Sequence, residues 1–285
     1  MGRGSMRGSV YSKEIAALLR RLGGILGFVL KPIYKIYEAW LYSQIYLGPM
    51  PKHVAIIPDG NRRWAKNLGL EPVVGHSVGY EKLRDVLGWL WDLNIKVVTL
   101  YAMSYENCIK RSVEERANIF KLISDGIDEL LRGEIDKRRI RVKFFGRFEP
   151  LPEELVDKIK KIEEYSSRYC DRYLNVAICY GGRQEIIDAV RRLAVDVEKG
   201  KVKSNEIHDN VFRRYLYTSH LCSNGLEEPD LVIRTSGELR ISNFLLWQIA
   251  YSELYFCDVY WPEFRRIDLW RAIRSYQRRE RRFGR

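Results

Sequence analysis

The chain lacks a CxxC pair, a glycine-rich nucleotide loop and any apolar run long enough to cross a bilayer. Its five cysteines, at positions 108, 170, 179, 222 and 257, fit neither a zinc spacing nor a secreted disulfide framework, so the expectation is free thiols in a reducing cytosolic compartment. Without GxxxxGK[ST] a P-loop nucleotidase is disfavoured. Without GxGxxG after a strand a dinucleotide dehydrogenase is disfavoured, and without GxSxG a serine hydrolase. The longest uncharged stretch near the N-terminus, Leu22 to Leu30, is nine residues. A membrane-spanning helix needs about 18–20. No Gly/Pro/Ser-rich linker divides the chain and no internal repeat runs through it.

What is present is a folded composition, 46% apolar and 12% aromatic over 285 residues, with a net charge of +12. That charge sits at the ends: residues 1–50 carry +5 and residues 265–285 carry +7, which leaves a neutral body. A nucleic-acid-binding domain would carry its basic stripe on the body, so no nucleic-acid partner is expected. Basic ends suit anionic lipid, or an anionic ligand at a site the tail completes; an arginine-rich helix that is merely solvated suits them equally. Within residues 11–48, Leu18, Leu19, Leu22, Ile25, Leu26, Val29 and Leu30 keep helical spacing, and Pro32 should kink or split the helix. This stretch reads either as an interfacial membrane helix or as a docking helix.

Beyond residue 52, short apolar runs alternate with long amphipathic ones. Strands are expected at 53–57, 95–103, 140–145, 173–180, 230–234 and 253–257, and helices at 77–93, 112–138, 152–170, 184–199, 204–220 and 264–282. The alternation predicts one α/β domain over residues 51–285, a mostly parallel sheet of about six strands with helices on both faces, preceded by a helical extension over residues 1–50.

The residues after each strand are the informative ones. The first strand runs into PDGNRR, the second into SYEN, the third into GR, the fourth into YGGR and the fifth into RTSGELRIS. In a parallel sheet these ends share one edge and should converge. They offer arginine forks, hydroxyls and glycine-freed amides with few acids, which suits a ligand with more than one phosphate. Asp59 is the exception. It suits Mg²⁺ bridged to a diphosphate, since that ion takes one or two protein carboxylates and leaves positions for phosphate oxygens. It also suits a plain cap on the following helix.

Taken as a set, HVAIIPDGNRRWAK, the GH at 75–76, TLYAMSYEN, LNVAICYGGR, PDLVIRTSGELRISNFLLWQIAYSELYF, WPEF and the closing RRERRFG resemble the cis-prenyltransferase family of the undecaprenyl diphosphate synthase type. The chain has no adjacent aspartate pair, and so lacks the metal motif of the all-helical trans-prenyl synthases. The resemblance covers residues 51–285. It implies a Mg²⁺-dependent transferase that adds isopentenyl diphosphate to an allylic diphosphate primer, farnesyl or geranylgeranyl diphosphate, with each new double bond cis. The product would be a long, undecaprenyl-like polyprenyl diphosphate, the precursor of a glycosyl carrier lipid.

By that resemblance Asp59 corresponds to the metal-associated aspartate, and Gly60, Asn61, Arg62 and Arg63 to the loop that grips the primer diphosphate. Trp64 and His76 correspond to primer-site positions. Ser104, Tyr105 and Glu106 fall in the substrate segment that carries Asn107, a position assigned to proton removal and read here as orienting. Arg234, Arg240, Ile241 and Ser242 correspond to the isopentenyl diphosphate pocket. Glu253 corresponds to a second metal-associated carboxylate acting across a homodimer interface, and Arg282-Phe283-Gly284 to a tail that reaches the partner's site.

The residues themselves leave other roles open: core packing for Trp64, a structural hydrogen bond for His76, a strand-end partner for Arg183, an interface salt bridge for Glu253. Three departures from the bacterial pattern touch the primer side. Arg62 replaces a glycine and Pro72 replaces an arginine. Cys108 replaces an aromatic and is followed by an inserted Ile109, which leaves Lys110 and Arg111 as rivals for one cationic role; Arg111 is favoured. The expected location is cytoplasmic, with peripheral contact at the inner face of the membrane. A non-catalytic subunit of a heteromeric prenyltransferase is the rival reading, set against the retention of Asp59, Arg234, Arg240 and Glu253.

Overall fold

The structure is a computed structural model that describes residues 32–278. The apolar series from Leu18 to Leu30 and the Arg282-Phe283-Gly284 ending lie outside the described residues. The chain divides into two units, Met1–Gly48 and Pro49–Arg285. In the first, residues 32–46 form helix α1, on which Tyr37 and Trp40 stack with ring centroids 5.6 Å apart. No helix among the described residues is long and apolar enough to cross a membrane.

The second unit is built on six parallel strands: β1 (His53–Ile57), β2 (Val97–Tyr101), β3 (Ile140–Gly146), β4 (Arg172–Ile178), β5 (Leu231–Arg234) and β6 (Glu253–Phe256). Their order is β3-β4-β2-β1-β5-β6. All five residues of β1 are buried, as its unbroken HVAII run requires of a strand covered on both faces. The order reverses at β1. The chain builds β2, β4 and β3 to one side of it, then returns to lay β5 and β6 on the other. Such a switch point opens a crevice at the C-terminal strand ends. In register, Ile57 of β1 faces Arg234 of β5, so the residues following both strands meet there.

Helices α2 (Asn61–Asn67), α3 (Pro72–Asp92), α4 (Tyr105–Lys110), α5 (Val113–Glu129), α6 (Ile135–Arg138), α7 (Glu153–Ser166), α8 (Gly182–Glu198), α9 (Asp209–Phe212) and α10 (Arg266–Arg278) complete the unit. Several boundaries differ from expectation for identifiable reasons. α3 begins at Pro72, because proline at the first helical position starts a helix rather than breaking it. The helix expected over 112–138 is interrupted by a π-helical turn, Leu130–Glu134, within which Gly133 sits at φ 131°. The expected helix over 204–220 is instead a series of single turns: Ser204–Glu206, α9, Arg213–Tyr215 and Ser219–Asn224. Its Ser, Asn, Asp, Thr and His residues compete with the helical backbone for hydrogen bonds. α2 and α4, at seven and six residues, are too short to leave a periodic signal.

The cysteines also depart from the reading of free thiols throughout. Cys108 of α4 and Cys179, just beyond β4, form a disulfide with Cα atoms 5.3 Å apart, while Cys170, Cys222 and Cys257 are free. Both bonded residues are fully buried. They lie 71 residues apart in sequence and only the sheet topology brings them together, which is why spacing rules miss them.

A buried polar row crosses the other half of the sheet. His53 Nε2 lies 2.7 Å from Thr99 Oγ1, Asn175 donates to the same hydroxyl at 3.1 Å, and His220 Nε2 lies 3.0 Å from Asn175 Oδ1. Burial lowers the pKa of His53 and of His220 from 6.5 to about 4. Both rings therefore stay neutral in the folded chain over a range where the unfolded chain protonates them. Their contribution is complete above pH 6.5 and is lost as pH falls towards 4. The denaturant midpoint should therefore fall over this window, and more gently in a His53→Gln/His220→Gln double variant. Equal slopes in the two proteins would contradict the account.

Candidate active site

The site grows from the break at Pro58. The backbone turns sharply at Gly60, with φ 107°, and a Cβ there would lie 2.7 Å from Tyr260 Cδ1. Only glycine meets both conditions without strain. α2 then starts at Asn61, which is seated against two glycines of α3. A Cβ at Gly75 would come within 2.2 Å of Asn61 O, and one at Gly79 within 2.4 Å of Asn61 Oδ1.

Asp59 does not cap α2, whose N-cap is Gly60 with no side-chain hydrogen bond. Its carboxylate instead accepts from Arg234 Nη2 at 2.7 Å and from Arg63 Nη2 at 3.4 Å. Its carbonyl accepts from Thr235 Oγ1 at 2.6 Å and from Trp261 N at 3.1 Å. Burial would raise the carboxyl pKa, but the Arg234 hydrogen bond and charge, with Arg63 behind them, hold it below the usual range. Asp59 is thus a fixed, ionised carboxylate.

Arg234 is 4% exposed and also donates to Ser242 Oγ at 2.7 Å and to the carbonyl of Arg240. Arg63 donates to Ser236 Oγ at 2.6 Å and to Glu238 Oε1 at 2.8 Å. Glu238, absent from the expected site, also pairs with the exposed Arg240 and so bridges two guanidinium groups. Ser236 and Ser242 hold left-handed backbone at φ 78° and 49°, a strained conformation characteristic of functional loops.

A second ionic cluster joins α2, α3 and α5 with Arg111, the residue that follows α4. His76 Nε2 lies 2.9 Å from Glu115 Oε1, which also pairs with Arg111 at 3.1 Å and with Arg62 at 3.6 Å. Burial lowers the His76 pKa in spite of Glu115. Burial alone would raise the Glu115 carboxyl, yet His76, Arg111 and Arg62 together hold it below the usual range. Of the two rival cations it is Arg111, not Lys110, that lines the cavity. Glu115 is also new to the site. Its sequence signal, SVEE from Ser112, has capping-box spacing. Ser112 does accept from the Glu115 amide at 3.2 Å, but the Glu115 carboxylate points elsewhere.

From these two clusters Asp59, Arg234, Ser242, His76 and Arg111 line a cavity of about 680 Å³. Asp59, Asn61, Ser104, Asn107, Arg234 and Ser242 line its polar end, and Leu87, Trp91, Leu100, Ile119, Ile123 and Ile127 its apolar depth. Arg111 Nε and Arg234 Nε are buried without a protein partner, so each guanidinium keeps unused donor capacity next to the cavity. The other expected residues are not gathered in. Trp64 is half-buried, its indole donating to Glu263 at 3.2 Å. Tyr105 lies off the cavity wall, Glu106 is exposed and accepts from Asn243 at 3.2 Å, and Ile241 packs on the core. The third and fourth strand ends do not converge on the cavity either. Arg147 pairs with Asp188 at 2.9 Å, and exposed Arg183 offers its amide to Asn243.

No group of three or more His, Cys, Asp or Glu capable of caging a metal occurs among the described residues. The donor set fits a different arrangement: one ionised carboxylate, Asp59, among arginines suits an ion shared with a diphosphate. Glu253 opens the edge strand β6, three register positions before Phe256, which aligns with Arg234. That places it about 10 Å back along the strand from the site.

An ionised carboxylate between arginines, at the switch point of a parallel sheet and beside a largely apolar cavity, is an arrangement suited to an enzyme acting on a diphosphate with a hydrocarbon tail. Comparison with known proteins gives the family. Residues 57–284 match the model described as putative undecaprenyl diphosphate synthase. The chain is 52% identical over 257 residues to the tritrans,polycis-undecaprenyl-diphosphate synthase (GGDP specific) of Sulfolobus acidocaldarius, covering 90% of this chain and 96% of that one. It is 53% identical over 257 residues to the geranylgeranyl-diphosphate-specific synthase of that name from Methanopyrus kandleri, covering 90% and 93%.

Among solved structures, lavandulyl diphosphate synthase from Lavandula x intermedia, in complex with dimethylallyl diphosphate, superposes with a TM-score of 0.77 at 34% identity, covering 83% of this chain and 99% of that one. A probable undecaprenyl diphosphate synthase from Campylobacter jejuni superposes with a TM-score of 0.66 at 30% identity, covering 83% and 100%. The chain belongs to the undecaprenyl diphosphate synthase family and is a cis-prenyltransferase.

Two outcomes follow from the geometry. Gly60→Ala should lose about 1–3 kcal/mol of stability together with most activity, read by denaturant melts and prenyl transfer; an unperturbed variant would contradict the turn described. Reducing the Cys108–Cys179 bond opens a loop with a sequence separation of 71. It should lower unfolding stability by about 4 kcal/mol on the loop-entropy account. Identical melts with and without a dithiol reductant would contradict the link.

Proposed function

We propose that this protein extends geranylgeranyl diphosphate by successive cis additions of isopentenyl diphosphate, using Mg²⁺, to give a polyprenyl diphosphate of undecaprenyl length. The observation that carries this reading is Asp59, ionised between Arg234 and Arg63 at the mouth of the apolar cavity. Breaking the allylic C–O bond puts negative charge on the leaving diphosphate, and a preorganised cationic site lowers that barrier. Arg63 and Arg62, with the amides of the Gly60–Asn61 turn, serve the leaving group. When bound, Mg²⁺ would be held by Asp59 and would neutralise diphosphate charge.

Arg234, Arg240 and Ser242 hold the incoming isopentenyl diphosphate so that its double bond meets the allylic carbon in line. The step ends with loss of a proton from C2 of the isopentenyl unit. Asn107, on the cavity wall beside Ser104, orients that end of the substrate, and a diphosphate oxygen or water takes the proton. Asp59 is neither nucleophile nor base in this scheme.

The twenty-carbon primer is supported by the specificity in the names of the two archaeal relatives and by Pro72, Arg62 and Cys108, which alter the primer side. A homodimer is supported by Glu253, whose place on an edge strand away from its own Asp59 suits a role toward a second copy. Peripheral contact of residues 1–50 with an anionic membrane surface is supported by their net charge of +5. The retained Asp59, Arg234 and Arg240 weigh against a non-catalytic subunit.

Purified protein given labelled isopentenyl diphosphate should therefore turn over only with Mg²⁺, and faster with the C20 than the C15 primer. Asp59→Ala should lower kcat by about 10²-fold or more. Turnover by Asp59→Ala at the wild-type rate, or a preference for the C15 primer, would contradict the reading.

A further inference from the structure

The turn that carries Ser242 into the proposed isopentenyl pocket has an unusual backbone. Three of the four residues after Ile241 are left-handed: Ser242 at φ 49°, Asn243 at 63° and Leu245 at 46°. Side chains other than glycine rarely adopt this conformation, although asparagine accepts it more readily than most. Its effect is to aim a hydroxyl at Arg234, whose guanidinium donates to Ser242 Oγ at 2.7 Å. A backbone of this kind persists where its surroundings hold it.

The support comes from the chain leaving β4. Its YGGR segment, residues 180–183, does not line the cavity, but it touches the turn that does. Gly181 is the N-cap of α8 and has no side chain with which to accept from the helix amides. Asn243 supplies the acceptors from 60 residues further along the chain. Its carbonyl takes the Gly182 amide at 2.7 Å and its Oδ1 the Arg183 amide at 2.9 Å, two of the donors that a helix start leaves unsatisfied. The two glycines permit this approach. A Cβ at Gly181 would lie 2.7 Å from Asn243 Nδ2, and one at Gly182 would lie 2.7 Å from Leu246 Cγ and 3.0 Å from Leu246 N. On the other side of the turn the Tyr101 hydroxyl donates to the Ser242 carbonyl at 3.2 Å, and Phe244 stacks on the Tyr101 ring at 4.5 Å. The remaining contacts of Asn243, from Nδ2 to Gln184 at 3.3 Å and to the exposed Glu106 at 3.2 Å, are longer.

We propose that Asn243 is a positioning residue for isopentenyl diphosphate: by capping α8 on the YGGR turn it holds Ser242, and with it Arg234, in the geometry that receives the head group. The fourth strand end thus serves the cavity at one remove, through a loop rather than through its own arginine. The inference rests on the proposed elongation activity, and its test separates the two.

The experiment measures steady-state extension of a C20 primer, with kcat and KM determined for each substrate, beside calorimetric binding of a non-ionising allylic thiodiphosphate. Asn243→Gly keeps the left-handed turn and the carbonyl bond to Gly182 but removes the acceptor for Arg183. Gly182→Ala leaves Asn243 in place and favours the helix, yet its methyl pushes Leu246 away from α8. Both should lower kcat/KM for isopentenyl diphosphate by about tenfold, with KM for the primer and binding of the thiodiphosphate unchanged. Asn243→Asp keeps the acceptor, and a carboxylate suits a helix N-terminus, so it should stay near wild type. Wild-type kinetics in Asn243→Gly, shown folded by denaturant melts, would overturn the assignment and leave the elongation reading intact. Equal losses for both substrates would also overturn it, as would Asn243→Asp no better than Asn243→Gly. If Asn243→Gly does not fold, Gly182→Ala decides by the same comparison. Absence of any prenyl transfer by wild type would overturn the elongation reading, and this inference with it.

Discussion

The Asp59–Arg234 pair is the contact on which the site depends. It joins the segment leaving β1 to the last residue of β5, where the order of the sheet reverses, and it is formed by residues 175 apart in sequence. Arg234 is almost fully buried, and burying an unpaired guanidinium is prohibitive. The carboxylate of Asp59, the hydroxyl of Ser242 and the carbonyl of Arg240 supply its partners. In return the arginine keeps Asp59 ionised in a place where burial would favour the neutral acid. One pair thus fixes both a charge and a geometry.

Other features follow from keeping that pair in place. Gly60 turns the chain against Tyr260, and the carbonyl of Asp59 is held by Thr235 and by the Trp261 amide. Gly75 and Gly79 let α2 lie on α3, so Arg63 on α2 reaches back to Asp59, Ser236 and Glu238. The second cluster gathers Arg111, Arg62 and His76 around the single carboxylate of Glu115, which leaves one positive charge in excess beside the site. The Cys108–Cys179 bond ties α4, which carries Asn107, to the chain leaving β4. Polar fixtures of this kind surround a cavity whose depth is apolar, the division an amphiphilic diphosphate requires.

The sheet was legible because buried parallel strands are dominated by apolar residues: HVAII, VVTLY at 97–101 and LVI at 231–233 stand out against amphipathic neighbours, while the edge strand at 140–146 alternates buried apolar residues with half-buried Arg141 and Lys143. Asp59, Arg63, Arg234 and Ser242 were legible because each follows a strand, and parallel strand ends share one edge. What was not legible depends on contacts between distant residues. Glu115 has the spacing of a helix cap, and only the fold shows its carboxylate turned to His76 and Arg111. Glu238 reads as an ordinary loop acid until Arg63 and Arg240 are seen on either side of it. The disulfide has no spacing rule, and the broken 204–220 stretch has the apolar periodicity of a helix but the polar composition of turns. Convergence of strand ends was overextended to Arg147 and Arg183, whose strands, or the helix after them, lie on the far side of β2 from the switch point.

The central claim is that Asp59 matters because it is an ionised carboxylate that shares a metal with the diphosphate. The most direct measurement is calorimetric binding of a non-ionising allylic thiodiphosphate to wild type and to Asp59→Asn, each with and without Mg²⁺. The account predicts that Mg²⁺ strengthens binding to wild type and has little effect on the isosteric amide. Equal strengthening in both proteins would mean that the metal acts without Asp59, and would contradict the account.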